Sequence, residues 1–293
     1  VNEFTIGIVC ALMIGAADTL SARLARKMSP LVAMFWSGTI GWLVLAGPVV
    51  LVGRLGSIEG PRSVNDVGLL VLGGLFSSVG HLTFFFGLEK SSAGLVSAIA
   101  STYPLVVIVV GVSLALDQLH ALSGLGVAFV FAGILLLILE QVIGHDRRHA
   151  NVASHLAVAY GLPTALCWGL GLGVISYAVP SAHWMIVIFV TRGVAVLFSA
   201  LWLALTRTQI AFSGSLRTWV WLGVIGLAEV AAYLGVSLGA RTGSAIVVAA
   251  VLSTSPIVTA VLAYATLHES LTHIQIGALL LAVAGVVTLG LQM

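Results

Sequence analysis

Apolar runs of the length needed to cross a bilayer as helices, about 20 residues each, follow one another along almost the whole chain and are parted by short polar breaks. The pattern predicts ten spans, near residues 4–24, 30–53, 67–88, 93–115, 119–139, 156–178, 183–205, 217–239, 244–266 and 272–292. The longest break, GHDRRHANVASH over residues 144–155, lies at the midpoint and separates two five-span halves, 1–143 and 156–293. The predicted fold class is all-α integral membrane, with little chain left for a soluble domain.

Composition sharpens this picture. The chain is 60% hydrophobic and 8% charged, whereas a soluble domain carries about 25% charged residues. The formal charge of +2 is spread over many loops and gives no footprint for nucleic acid. Cys10 and Cys167 sit alone in apolar runs, so neither a structural disulfide nor a zinc site is expected. No basic flank precedes the first apolar run, so no cleavable signal is expected there.

The halves repeat each other. Ser101, Thr102 and Pro104 in ASTYPLV recur as Ser253, Thr254 and Pro256 in LSTSPIV, an offset of 256 − 104 = 152. The same register pairs Gly87 with Gly239, Ser92 with Ser244, Val96 with Val248, Asp117 with Glu269 and Gly133 with Gly285. The first spans need two residues more, which pairs Ile14-Gly15 with Trp168-Gly169. An odd number of spans per repeat requires the second copy to enter the membrane from the other side. Inverted repeats of this kind are a common plan of secondary transporters, with the site near the midplane where the repeats meet. The architecture thus points to alternating access between two inverted five-helix repeats.

Ten spans, the duplication, the Trp-Gly of span six, the proline of spans four and nine, and the acid after each (LDQLHA, LHESLT) resemble the drug/metabolite transporter superfamily, EamA type. The resemblance covers essentially the whole chain and is strongest over residues 229–291. Span one departs from it, with Ile14-Gly15 in place of Trp-Gly. It implies a permease or exporter of a small metabolite, with no cofactor, in a prokaryotic cytoplasmic membrane.

Pro104 and Pro256 are expected to kink spans four and nine beside a polar cavity, with Ser101, Thr102, Ser253, Thr254 and Ser255 satisfying the freed carbonyls; the alternative is a purely structural kink. A charge at the helix centre costs about 2.5 kcal/mol or more on insertion scales. Four ionisable residues at membrane depth are therefore candidates: Asp18, His81, Arg192 and Glu229. Glu229 and Tyr233 share a helix face, and the offset of 152 maps them onto Ser77 and His81, also four apart. That symmetry marks one polar face in each half. Glu229 is a candidate for substrate or proton binding or for a structural pair with Arg192; Asp18 for coupling or a pair with Arg23. Arg192 carries a structural tie or a substrate contact, opposite Ser37 of the first half. Trp36, Tyr103, Trp168 and Tyr233 are candidate cavity aromatics, with an interfacial belt as the alternative. Asp117 and Glu269 read as helix caps, and Gly169-x-x-x-Gly173 and Gly235-x-x-x-Gly239 as close-packing faces.

No nucleophile, base and orienting acid occur in a recognisable pattern, so an enzyme is not expected. The expected function is export or exchange of a small, amino-acid-like metabolite, possible drivers being a proton or a solute gradient. Uptake of a small amine or quaternary ammonium solute is the alternative within transport, and a passive channel or receptor the alternative outside it. Partners are the lipid bilayer and the small-molecule substrate; the spacing leaves the oligomeric state open, a monomer included. Eight basic residues in the breaks after odd-numbered spans, against Arg54, Arg62 and Arg241 on the other side, put both termini outside by the positive-inside rule, whereas the resemblance implies termini in the cytoplasm.

Overall fold

The computed structural model describes residues 3–54, 60–61, 63–91, 93–103, 106–107, 109–110, 121–143, 150–178, 183–210, 214–242, 248, 251–252, 254–267 and 273–290. Among them the regular elements are all helical: α1 (Glu3–Ala25), α2 (Pro30–Arg54), α3 (Val64–Lys90), α4 (Ala93–Ala100), α5 (Ala121–Ile143), α6 (Ala150–Ala178), α7 (Trp184–Leu205), α8 (Leu216–Thr242), α9 (Ser255–Leu267) and α10 (His273–Gly290). A lipid interior leaves the backbone no water to bond, and a helix satisfies it internally. Six of the described helices, α1, α2, α3, α6, α7 and α8, are long and apolar enough to cross a membrane.

The sequence predicts ten such spans; parts of the fourth and ninth lie outside the described residues, and helix is also present beyond α4 at residues 103, 106–107 and 109–110 and before α9 at residues 248 and 251–252. At the described residues of the Ser-Thr-x-Pro motif the helical pattern is interrupted by a turn, at Ser101 and Thr102 and again at Thr254. Thr102 N–H bonds the Ile99 carbonyl at 3.1 Å and Thr254 N–H the Val251 carbonyl at 3.1 Å. The hydroxyls of the same two threonines donate to the same two carbonyls, each at 2.7 Å. Pro256 then occupies the first turn of α9, where a missing N–H costs nothing. The threonine hydroxyls thus reinforce carbonyls that the same residues' N–H groups already bond, and not the Ala100 and Leu252 carbonyls four residues before each proline. Pro104, Ser253, Asp117 and Glu269 lie outside the described residues. Among the described residues, Pro48 of α2 and Pro163 of α6 lie inside helices.

The halves interlock. The most extensive interfaces join α3 to α6 and α1 to α8, α3 to α7 and α2 to α8, α4 to α6 and α1 to α9, α2 to α7, and α5 to α10. Advancing by five exchanges or preserves each pair among α1–α3, α5–α8 and α10, the signature of a pseudo-two-fold relation between the halves; α4 and α9 are opposite parts of repeat-related segments, since the offset of 152 carries residues 93–100 onto 245–252. Close packing follows it residue by residue. A Cβ on Gly7 would meet the Val251 side chain, and one on Gly161 the Ile99 side chain. A Cβ on Gly15 would meet Val258 and the Ser255 carbonyl; one on Gly169 would meet Val106 and the Tyr103 carbonyl. These pairs obey the offsets read from the sequence, 154 for α1 and 152 beyond. Lipid tails are as apolar as Leu, so packing and close backbone approach at small residues hold such helices together.

The break has a testable consequence. Pro256→Ala restores a backbone donor where α9 begins, so the helix can extend back toward Leu252. The variant is expected to fold with an unchanged or higher melting temperature and to transport more slowly; wild-type transport rates would show that the break has no part in the cycle.

Candidate substrate site

Where the halves meet, a cavity is lined by Asp18 of α1, His81 of α3, Trp168 of α6, Arg192 of α7, Glu229 and Tyr233 of α8, and Ser255 of α9, together with Ser97, Ser101 and Tyr103 around the end of α4. Asp18, His81, Ser97, Ser101, Arg192 and Ser255 are all buried from solvent. The structure thus gathers most of the sequence-derived candidates into one space. Trp36 is not among the lining residues: its indole donates to the Ile210 carbonyl at 3.1 Å and its ring meets Trp219 edge-on at 5.0 Å. It ties α2 to the segment after α7, because the face it occupies turns toward that segment. Ser97 was not singled out by sequence, although it stands four residues before Ser101 and so shares its face.

The repeat-related polar faces of α3 and α8 meet directly and cross-pair. The hydroxyls of Ser77 and Tyr233 are hydrogen-bonded, and His81 Nε2 lies 3.6 Å from Glu229 Oε1. Ser77 corresponds to Glu229, and His81 to Tyr233. The two contacts are therefore images of one another, which marks the pseudo-two-fold axis at this point.

His81 Nδ1 lies 2.8 Å from the Ser77 carbonyl and 3.2 Å from Trp168 Nε1. A carbonyl only accepts and an indole N–H only donates, so Nδ1 cannot serve both. The shorter, in-helix bond puts the proton on Nδ1 and leaves the indole as a packing neighbour. Nε2 then faces Glu229, and bonds it only when the ring is protonated. Trp168 forms the aromatic wall, with ring centroids 4.9 Å from Phe84, 5.1 Å from His81 and 6.2 Å from Tyr103.

Arg192 breaks the symmetry. Its Nη1 donates to Glu229 Oε2 at 2.9 Å and its guanidinium sits over the Tyr233 ring at 4.2 Å, while Nε and Nη2 are buried without a partner. Its first-half counterpart is Gly38 and not the expected Ser37: the carbonyls of Ser37 and Thr191 make equivalent approaches to Gly226 and Gly74, so Thr191 is the image of Ser37. Glycine offers no side chain, and the ion pair belongs to the second half alone.

Asp18 has no hydrogen bond or ion pair among the described residues, and its expected tie to Arg23 does not form. Its image is Leu172, also at the cavity wall. With His81 neutral, the cavity thus holds two carboxylates, Asp18 and Glu229, against the one guanidinium of Arg192. Among the described residues no group of three His, Cys, Asp or Glu side chains could hold a metal ion.

A cavity on the axis between two repeats, walled by aromatic rings and holding buried charges of both signs, is the plan of a membrane transporter. The chain belongs to the EamA-like transporter family, which matches residues 3–139 and again residues 155–291. A solved crystal structure has the same fold, with a TM-score of 0.76 over 99% of this chain and 99% of that one at 18% sequence identity. No curated protein matches the sequence.

Proposed function

We propose that the protein is a secondary carrier that exports or exchanges a small, amino-acid-like metabolite by alternating access, with ten spans arranged as inverted repeats over residues 1–143 and 156–293 joined by residues 144–155. One observation carries this reading: a guanidinium and two carboxylates face one cavity shared by both halves. A zwitterion matches that charge pattern, and the aromatic and aliphatic walls suit a short apolar side chain. The excess of one carboxylate favours a second reading, carriage of a small amine.

Counterflow in proteoliposomes tests the carrier reading. Vesicles loaded with unlabelled L-leucine are expected to accumulate labelled L-leucine transiently above equilibrium, and vesicles loaded with isoamylamine to do so for labelled isoamylamine on the second reading. Simple equilibration at the same rate with and without internal substrate would identify a channel. Glu229→Gln keeps an acceptor for Arg192 Nη1 while removing the charge. It is expected to retain the fold and to lose uphill transport. Retained exchange would give Glu229 the coupling role, and lost exchange the binding role; wild-type uphill transport at every pH would leave it as a structural partner of Arg192.

A further inference from the structure

We infer that Asp18, Ser97 and Tyr103 form a subsite for a primary ammonium group, separate from the Arg192–Glu229 pair; this rests on reading the cavity as the substrate site and specifies what it takes. Asp18 is buried at 9% exposure with no ion pair or hydrogen bond among the described residues, and it lines the cavity. The Ser97 hydroxyl stands beside its carboxyl without completing a hydrogen bond, and Tyr103 lies within electrostatic range. The Ser97 and Tyr103 hydroxyl oxygens are themselves buried without partners. A carboxyl and two hydroxyls, which can accept as well as donate, thus line the cavity with no cation held against them among the described residues.

Leaving such groups unsatisfied costs about 1–3 kcal/mol each, so the subsite is built for something that arrives. The protein's own cation cannot fill it. Arg192 is held by Glu229 at 2.9 Å and by the Tyr233 ring at 4.2 Å. A primary ammonium brings three N–H donors, no acceptor and a positive charge, which matches a carboxyl group flanked by two hydroxyl oxygens that can accept. A lone proton satisfies one oxygen, and a quaternary ammonium donates to none. The Trp168 ring, edge-on to Tyr103 at 6.2 Å, adds an aromatic surface near the cation. In this arrangement the carbon body of the substrate lies along the apolar wall formed by Ile14 and Leu172.

The test is a set of thermal-shift titrations of the purified full chain with isoamylamine, L-leucine, 4-methylpentanoate and tetramethylammonium, since binding stabilises as RT ln(1 + [L]/Kd). Isoamylamine and L-leucine are expected to raise the melting temperature; 4-methylpentanoate and tetramethylammonium are not. Asp18→Asn should weaken isoamylamine by roughly 10- to 100-fold and Ser97→Ala by about 2- to 10-fold, the ranges for charged and neutral hydrogen bonds. If Asp18→Asn yields no monodisperse protein, Ser97→Ala decides alone. Equal stabilisation by tetramethylammonium, or unchanged isoamylamine affinity in the variants, overturns the subsite and leaves the carrier reading standing. Unchanged affinity with a lost pH dependence in Asp18→Asn would make Asp18 a proton site and equally overturn it. No stabilisation of the wild type by any of the four compounds would overturn both.

Discussion

Arg192→Met is expected to destabilise the protein by about 3–5 kcal/mol, the range for removing one partner of a buried ion pair, and to abolish transport. The methionine fills similar volume, but the Glu229 carboxylate is left inside the bundle without its guanidinium partner, the Nε2 of His81 standing 3.6 Å away. The double variant Arg192→Met, Glu229→Gln removes both charges and should recover most of the lost stability while remaining inactive. Melting in detergent of the wild type, both single variants and the double variant closes a cycle that isolates the pairwise energy. Additive losses would mean that the 2.9 Å contact contributes nothing by itself and that Arg192 acts through its stacking on Tyr233.

The second large effect has a sign opposite to ordinary helix propensity. Glycine inside a helix costs about 0.5–1 kcal/mol relative to alanine, so Gly→Ala in an open position should stabilise. Gly47 and Gly223 are such positions, with no atom within 4 Å of an added Cβ. Gly15→Ala and Gly169→Ala should instead destabilise by about 1–3 kcal/mol, the range for overpacking. At Gly15 the new methyl would stand 2.7 Å from the Ser255 carbonyl oxygen, and at Gly169 it would stand 2.7 Å from that of Tyr103. Both carbonyls belong to the broken segments of the repeats, so relief requires those segments to move. The two variants should lose comparable melting temperature because their surroundings are images of one another. A stabilised Gly15→Ala beside a destabilised Gly169→Ala would show that the two repeats do not share this packing.

Much of this organisation is legible in the chain. The offset of 152, with two residues more in the first spans, recurs in the packing as Gly15 on Val258 and Gly169 on Val106. The pairing of Ser77 with Glu229 and of His81 with Tyr233 announces a shared polar face, and those residues meet. Trp168 was legible as the tryptophan of a family-like motif. Less was visible at the helix breaks, since a Ser-Thr-x-Pro motif fits both a kink and a fresh helix start. The choice depends on which carbonyls neighbouring helices leave open.

The sequence by itself determined the medium, the duplication and the register, because these depend on composition and on spacing along one chain. The tertiary structure decided the partners: Arg192 with Glu229, Trp36 with the Ile210 carbonyl, and Asp18 with no ion-pair partner among the described residues. The reason lies in the solvent. A helix in water shows its buried face by its apolar stripe, but in lipid the outer face is apolar too, as Leu12, Leu43 and Leu197 show at 54%, 58% and 71% exposure. Hydropathy therefore does not say which way a residue of α1, α2 or α7 points. That is set by where small residues let backbones touch, as at Gly41 and Gly226, and only the folded bundle brings those places together.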